Sequence, residues 1–146
     1  MKVILASDHG GIHLSKEIAE LLEELNIEYE DIGCNCADSV DYPDYGIPAA
    51  ERVASGEFDR AILICGTGIG MAIAANKVNG IRAALVHDLF SAKATREHND
   101  SNVLTMGERV IGAGLAREIA RTWLTTEAQG GRHANRIAKL TAYENK

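Results

Sequence analysis

Short β-prone runs at Val3–Ala6, Ile27–Ile32, Ala61–Cys65, Ile81–Val86 and Val103–Met106 recur between helix-compatible segments, and this alternation constrains the fold most. A βαβα order implies parallel pairing, because each crossover carries the chain back to start the next strand on the same side. Ala61-Ile62-Leu63-Ile64-Cys65 and Ala83-Ala84-Leu85-Val86 are continuously apolar, as expected of strands covered on both faces. In the first crossover Leu14, Ile18, Leu21, Leu22 and Leu25 form one apolar stripe, predicting a helix that ends near Asn26. Ile47–Ser55, Met71–Lys77, Ala92–Glu97 and Ala113–Leu124 supply the remaining crossovers and the helix after the last strand. A final segment, Arg132–Leu140, follows Gly130-Gly131, has no strand after it and is free to leave the sheet. The expectation is an α/β chain: a three-layer αβα sandwich with a Rossmann-like five-stranded parallel sheet and a C-terminal helix reaching outside it. No linker, repeat or low-complexity stretch interrupts residues 1–146, so one domain is expected.

Charge narrows the partners. With 15 Lys and Arg against 21 Asp and Glu, the net charge of −6 argues against a nucleic-acid or anionic-membrane surface. Any bound anion must be small and locally cradled. No apolar run approaches the roughly 18 residues of a membrane span, and the apolar start is too short for a signal-peptide core. The three cysteines are an odd number, and Cys34 and Cys36 lie too close together to staple distant parts of the chain. A disulfide framework is therefore not expected, and a cytoplasmic location is. Cys34-Asn35-Cys36 has the wrong spacing for a zinc knuckle and no further pair completes four ligands, so neither metal nor other cofactor is expected.

Ligands of open α/β sheets bind beyond the carboxyl ends of the strands, so the residues just after each strand carry the functional expectation. These are Ser7-Asp8-His9-Gly10-Gly11, Cys65-Gly66-Thr67-Gly68-Ile69-Gly70 and Gly107-Glu108-Arg109. The Gly66–Gly70 loop joins a buried strand to a helix start, where free backbone N–H groups can receive an anion. It lacks the third glycine of a dinucleotide fingerprint, since Met71 stands there, and the Gly-Lys-Ser/Thr of a P-loop. A tight turn in which glycine supplies only unusual dihedrals is the plainer reading.

Cys65, last in its strand, is either a buried inert thiol or a thiolate base beside preorganised donors. The second arrangement is what proton abstraction next to a carbonyl requires. Asp8 and His9 offer an acid/base pair at the same edge, with a helix cap as the alternative for Asp8. His98-Asn99 ends a helix just before the last strand, which puts the pair at the amino edge, where it would serve a neighbouring subunit or simply face solvent. Arg132 and Arg136, at i and i+4, form either a phosphate clamp or a solvated basic face. Arg109 is a third phosphate candidate, His133 is ambiguous, and Tyr42 before Pro43 could pack on a ligand.

Several separated motifs, in order, make the chain resemble the ribose-5-phosphate isomerase B family over nearly its whole length. They are Ser7–Gly11, Ser39-Val40-Asp41-Tyr42-Pro43-Asp44-Tyr45, Ile64–Gly70, Ala74-Ala75-Asn76-Lys77, Arg96-Glu97-His98-Asn99-Asp100 and Gly130-Gly131-Arg132-His133. The resemblance implies a metal-free aldose–ketose isomerase of pentose phosphate metabolism, interconverting ribose 5-phosphate and ribulose 5-phosphate through an enediolate. It implies that Cys65 carries the proton between C1 and C2, that the amides of Gly66, Thr67, Gly68, Ile69 and Gly70 and the Thr67 hydroxyl stabilise the oxyanion, and that His98, helped by Asp8, opens the sugar ring. Asn99 would bind sugar oxygens, and His9, Arg109, Arg132 and Arg136 the phosphate. It further implies a homodimer with shared active sites, in the family often paired into a tetramer. One branch of the family uses a glutamate at the position of Met71, so here the role falls to Cys65. The related galactose-6-phosphate isomerase subunits lack the His-Asn pair and the Gly-Gly-Arg-His segment, both present here. Cys34-Asn35-Cys36 and Val86-His87-Asp88-Leu89 depart from the family pattern and bear on sugar size, with a six-carbon sugar phosphate as the alternative substrate. A flavodoxin-like binding module is the non-catalytic alternative.

Overall fold

The computed structural model describes residues 1–146. In chain order the elements are β1 Lys2–Ser7, α1 Ile12–Glu24, β2 Glu28–Asp31, α2 Pro43–Ala54, β3 Arg60–Cys65, α3 Ile69–Ala75, β4 Ala83–Leu85, α4 Leu89–Asn99, β5 Val103–Gly107, α5 Ala113–Thr125 and α6 Arg132–Glu144. The strands form one sheet in the order β2-β1-β3-β5-β4, every neighbouring pair parallel. Side-chain alternation along the strands divides the core in two. Val3, Leu5, Ile62, Ile64, Leu104 and Met106 pack under α1 and α5, and the other face carries Ile4, Ala6, Ala61, Leu63, Cys65 and Val103 against α2 and α3. The αβα sandwich read from the sequence is the one observed.

The apolar run at Ala83–Val86 has a different setting from the one expected. β3 is central and covered on both faces, but β4 is an edge strand of three residues, with Ala83 and Ala84 half-buried and Leu85 39% exposed. Hydrophobicity alone cannot distinguish a strand covered by its own helices from one left open at the sheet edge. The opposite edge is chemically unlike it. β2 reads Glu28-Tyr29-Glu30-Asp31, exposed except at Tyr29, and Arg52 of α2 bonds Glu30 at 2.8 Å through both terminal nitrogens.

Cysteine pairing also differs from expectation: Cys34 and Cys36 are joined as a disulfide. The bridge spans a single intervening residue in the β2–α2 connection and links no two elements, so distant parts of the fold are still not stapled. Cys65 is the free cysteine. No helix is long and apolar enough to cross a membrane.

The amino edge is locked by two arginines over one indole. Arg60 Nη1 donates to the carbonyls of Trp123 and Leu124 at 2.9 and 3.0 Å, and Arg96 Nη1 donates to Ser101 O at 2.6 Å and Asp100 Oδ1 at 2.7 Å. Both guanidinium groups lie over the Trp123 ring, whose Nε1–H donates to Ser101 Oγ at 2.8 Å. The last helix is different: His133 is the only buried residue of α6, while Leu140 is 57% and Tyr143 72% exposed. Replacing Trp123 by Phe keeps the ring but orphans Ser101, and should lower the unfolding free energy by about 1–3 kcal/mol. Urea denaturation should show a shifted midpoint at unchanged slope.

Candidate active site

The carboxyl ends of β1, β3 and β5 converge, and local backbone chemistry decides what they present. Cys65 closes β3 opposite Gly107 of β5. Beyond it the chain turns sharply because Gly68 adopts φ +76°, a left-handed conformation that a side chain would oppose. That turn directs the Gly68 N–H to Cys65 Sγ at 3.1 Å. Cys65 is 5% exposed and its sulfur accepts a backbone donor, so the thiol is neither open to bulk water nor enclosed only by aliphatic groups.

The loop amides do not all have the same availability. Besides Gly68, the N–H of Ile69 is taken, by Thr67 Oγ1 at 3.2 Å. Gly66, Thr67 and Gly70 retain N–H groups with no acceptor in the chain. The Thr67 hydroxyl oxygen accepts from Ile69, which leaves its own proton to donate outward from an exposed position.

Neighbouring segments close around this loop. Arg109 lies over Gly66, where a β-carbon would come within 2.9 Å of its Nη1, and the ring of Tyr42 covers Gly70 at a similar 2.9–3.0 Å. Asp8, 6% exposed, does not cap α1: its Oδ1 accepts the Gly10 N–H at 2.8 Å, and the N-cap residue of α1 is Gly11. His9 Nδ1 accepts the Val40 N–H at 3.1 Å, so in the neutral ring the proton sits on Nε2 as a donor. Met71, at the position of the glutamate in the other branch, is fully buried.

The other sequence candidates gather elsewhere. His98 and Asn99 end α4 at the start of β5, and the five residues of β5 separate the two edges by about 16 Å. His98 stacks on His133 of α6 with centroids 4.4 Å apart and planes 11° from parallel. Arg132 and Arg136 are exposed on the same helix. Burial and the nearby His98, Arg132 and Arg136 push the His133 pKa down, against the pull of Glu97. The site residues therefore form two groups: Asp8, His9, Tyr42, Cys65 to Gly70 and Arg109 at the carboxyl edge, and His98, Asn99, Arg132, His133 and Arg136 at the amino edge. None of the four surface cavities on the chain is lined by Cys65. No cluster of three or more His, Cys, Asp or Glu side chains with metal-binding geometry occurs.

Two residues of the carboxyl edge make contacts that the sequence does not announce, although His87 lies in the stretch that bears on sugar size. Glu108 Oε2 accepts the Leu14 N–H at 2.7 Å, fastening the β5 terminus to the first turn of α1 across 94 residues of chain. His87 Nε2 accepts the Gly107 N–H at 3.0 Å. Neither partner is legible from spacing, because both are made by the sheet order. Gly107 is itself indispensable: a β-carbon there would stand 2.5 Å from the Thr67 carbonyl carbon. Gly107→Ala should lower stability by about 1–3 kcal/mol. It should also shift the backbone amide resonances of residues 66–70, as thermal melting and heteronuclear NMR would register.

Known proteins complete the picture. Residues 3–140 match the family model described as Ribose/Galactose Isomerase. The protein named ribose-5-phosphate isomerase B of Escherichia coli is 45% identical over 99% of this chain and 97% of its own. A Clostridium thermocellum structure of the same name superposes with a TM-score of 0.97 at 53% identity, covering 99% of this chain and 98% of that one. A Mycoplasma genitalium ribose-5-phosphate isomerase B with bound ribulose 5-phosphate does so at 0.96 and 39%, covering 99% and 97%. The sequence motifs, the parallel sheet and these matches agree that the chain belongs to the ribose/galactose isomerase family.

Proposed function

We propose that this chain is an aldose–ketose isomerase that interconverts ribose 5-phosphate and ribulose 5-phosphate, with Cys65 as the base. The observation that carries the reading is the seat of Cys65 Sγ against a loop whose Gly66, Thr67 and Gly70 N–H groups remain free. Removing the proton from C2 of the open-chain aldose sends its electrons into the carbonyl and makes a negative oxygen. Free amides and the Thr67 hydroxyl beside the base stabilise that charge as it forms. Passing the hydroxyl proton from O2 to O1 and returning the carbon-bound proton to C1 gives the ketose, so no oxidant or reductant enters.

Two incomplete groups at opposite edges support a homodimer in which each active site draws on both subunits. In this arrangement His98, Asn99, Arg132 and Arg136 of one protomer face the Cys65 loop of the other. His98 opens the furanose ring with help from Asp8, Asn99 holds sugar oxygens, and Arg109, His9 and the partner's arginine pair grip the phosphate. Surfaces suited to such pairing are the exposed Ile69, Ile73, Leu85, Leu89 and Phe90 beside the loop and the nearly unburied α6. Pairing of dimers into a tetramer, and residence in the cytoplasm, belong to the same reading.

Cys65→Ala should reduce kcat by about 10²–10⁴-fold with little change in substrate affinity. A near-normal kcat would remove the base assignment. Arg132→Ala and Arg136→Ala should mainly raise KM, since phosphate is held in both ground and transition states. Mixing denatured Cys65→Ala and His98→Ala chains and refolding them together should restore roughly a quarter of wild-type activity, because half the dimers then own one intact site. Continued inactivity of the mixture, with dimers present, would show that each site is built within one chain. A substrate panel of five- and six-carbon sugar phosphates run with a chelator should favour ribose 5-phosphate and retain activity.

A further inference from the structure

β4 ends before β5 does. The ladder between them pairs Ala83 to Leu85 with Val103 to Thr105, and Val86 N–H donates to Thr105 O at 3.1 Å. Two residues further on, Gly107 has an N–H directed toward β4 but no strand carbonyl left to receive it. His87 Nε2 fills that place at 3.0 Å. A side chain here completes a backbone ladder, and it does so at the residue on which the anion-binding loop rests. Gly107 is the register partner of Cys65, and a β-carbon on it would lie 2.5, 2.6 and 2.7 Å from the carbonyl carbon, α-carbon and oxygen of Thr67.

We infer that His87 is a positioning residue of the isomerase, its neutral imidazole holding the end of β5 in the register that sets Thr67 and the free loop amides beside Cys65. The role demands one protonation state, because Nε2 can accept a hydrogen bond only when its proton is absent and the ring carries Nδ1–H. Protonation turns Nε2 into a donor facing another donor, and Gly107 must then move away. Burial pushes the His87 pKa down, which keeps the acceptor form through the neutral range, while Asp88 beside it pulls the other way. The strand it meets presents only uncharged Thr105 and Gly107 here. Of the charged residues that follow, Glu108 is engaged by Leu14 and Arg109 lies over Gly66.

The inference rests on the proposed isomerase activity for its kinetic arm only. In the wild-type protein, the Gly107 amide resonance should titrate with a midpoint below the ordinary imidazole value. In His87→Gln, whose side-chain oxygen can accept but not titrate, it should stay constant. His87→Ala should lower kcat about tenfold while KM for ribose 5-phosphate stays within about twofold, and His87→Gln should recover most of the loss. A Gly107 amide indifferent to pH in the wild-type protein would overturn the assignment, as would a His87→Ala enzyme with normal kcat or one in which KM rises as kcat falls. Should the alanine variant not fold, the wild-type titration alone decides. If the protein isomerises no pentose phosphate the functional reading fails, yet the amide titration still reports whether His87 holds Gly107.

Discussion

The whole carboxyl edge depends on one backbone-to-backbone contact, Thr67 lying on Gly107 with no side chain between them. Because nothing projects from Gly107, the chain after β3 can fold back over the neighbouring strand. That fold puts Gly68 into its left-handed turn and its N–H onto the Cys65 sulfur. The contact is fastened from three directions: Glu108 and Arg109 donate their N–H groups to the Cys65 and Gly66 carbonyls, the Glu108 carboxylate reaches α1, and His87 receives the Gly107 N–H. A thiol and a set of amides can be held this rigidly because the strands beneath them are almost wholly buried.

The polarity of a parallel sheet explains why the remaining site candidates lie elsewhere. Every strand delivers its carboxyl end to the same side, so a helix returning the chain to the next strand must end on the opposite side. His98 and Asn99 end such a helix. The proposed dimer turns this separation to use, since a two-fold operation can bring one edge of each subunit to the other edge of its partner.

Much of this was legible in the chain. Strand and helix positions followed from apolar periodicity, as in Leu14, Ile18, Leu21 and Leu22, all buried on α1. Cys65, Gly66–Gly70, Asp8 and Arg109 converge because strand ends of a parallel sheet converge. What stayed hidden depends on which strands are neighbours. That β4 lies at an edge, that Glu108 meets Leu14 and that His87 meets Gly107 are consequences of the order β2-β1-β3-β5-β4, which local pattern does not encode. Asp8 was ambiguous for another reason: an Asp before a helix can cap it or close a turn on itself, and here it bonds Gly10. The Cys34–Cys36 bond joins residues too close in sequence to change the chain's reach, so the fold would not have required it.

The unlike borders of the sheet have a consequence for how copies of the molecule can grow into larger bodies. Along β2 the carboxylates repel an identical strand brought alongside, whereas the short β4 border is uncharged, with the Ala83 N–H and carbonyl held by the Asn76 side chain and apolar surface exposed at Leu85, Leu89 and Phe90. Strand-by-strand stacking into a fibre needs two adhesive borders, and this molecule has one. Contact through that single border uses it up on both partners, which makes the growth finite.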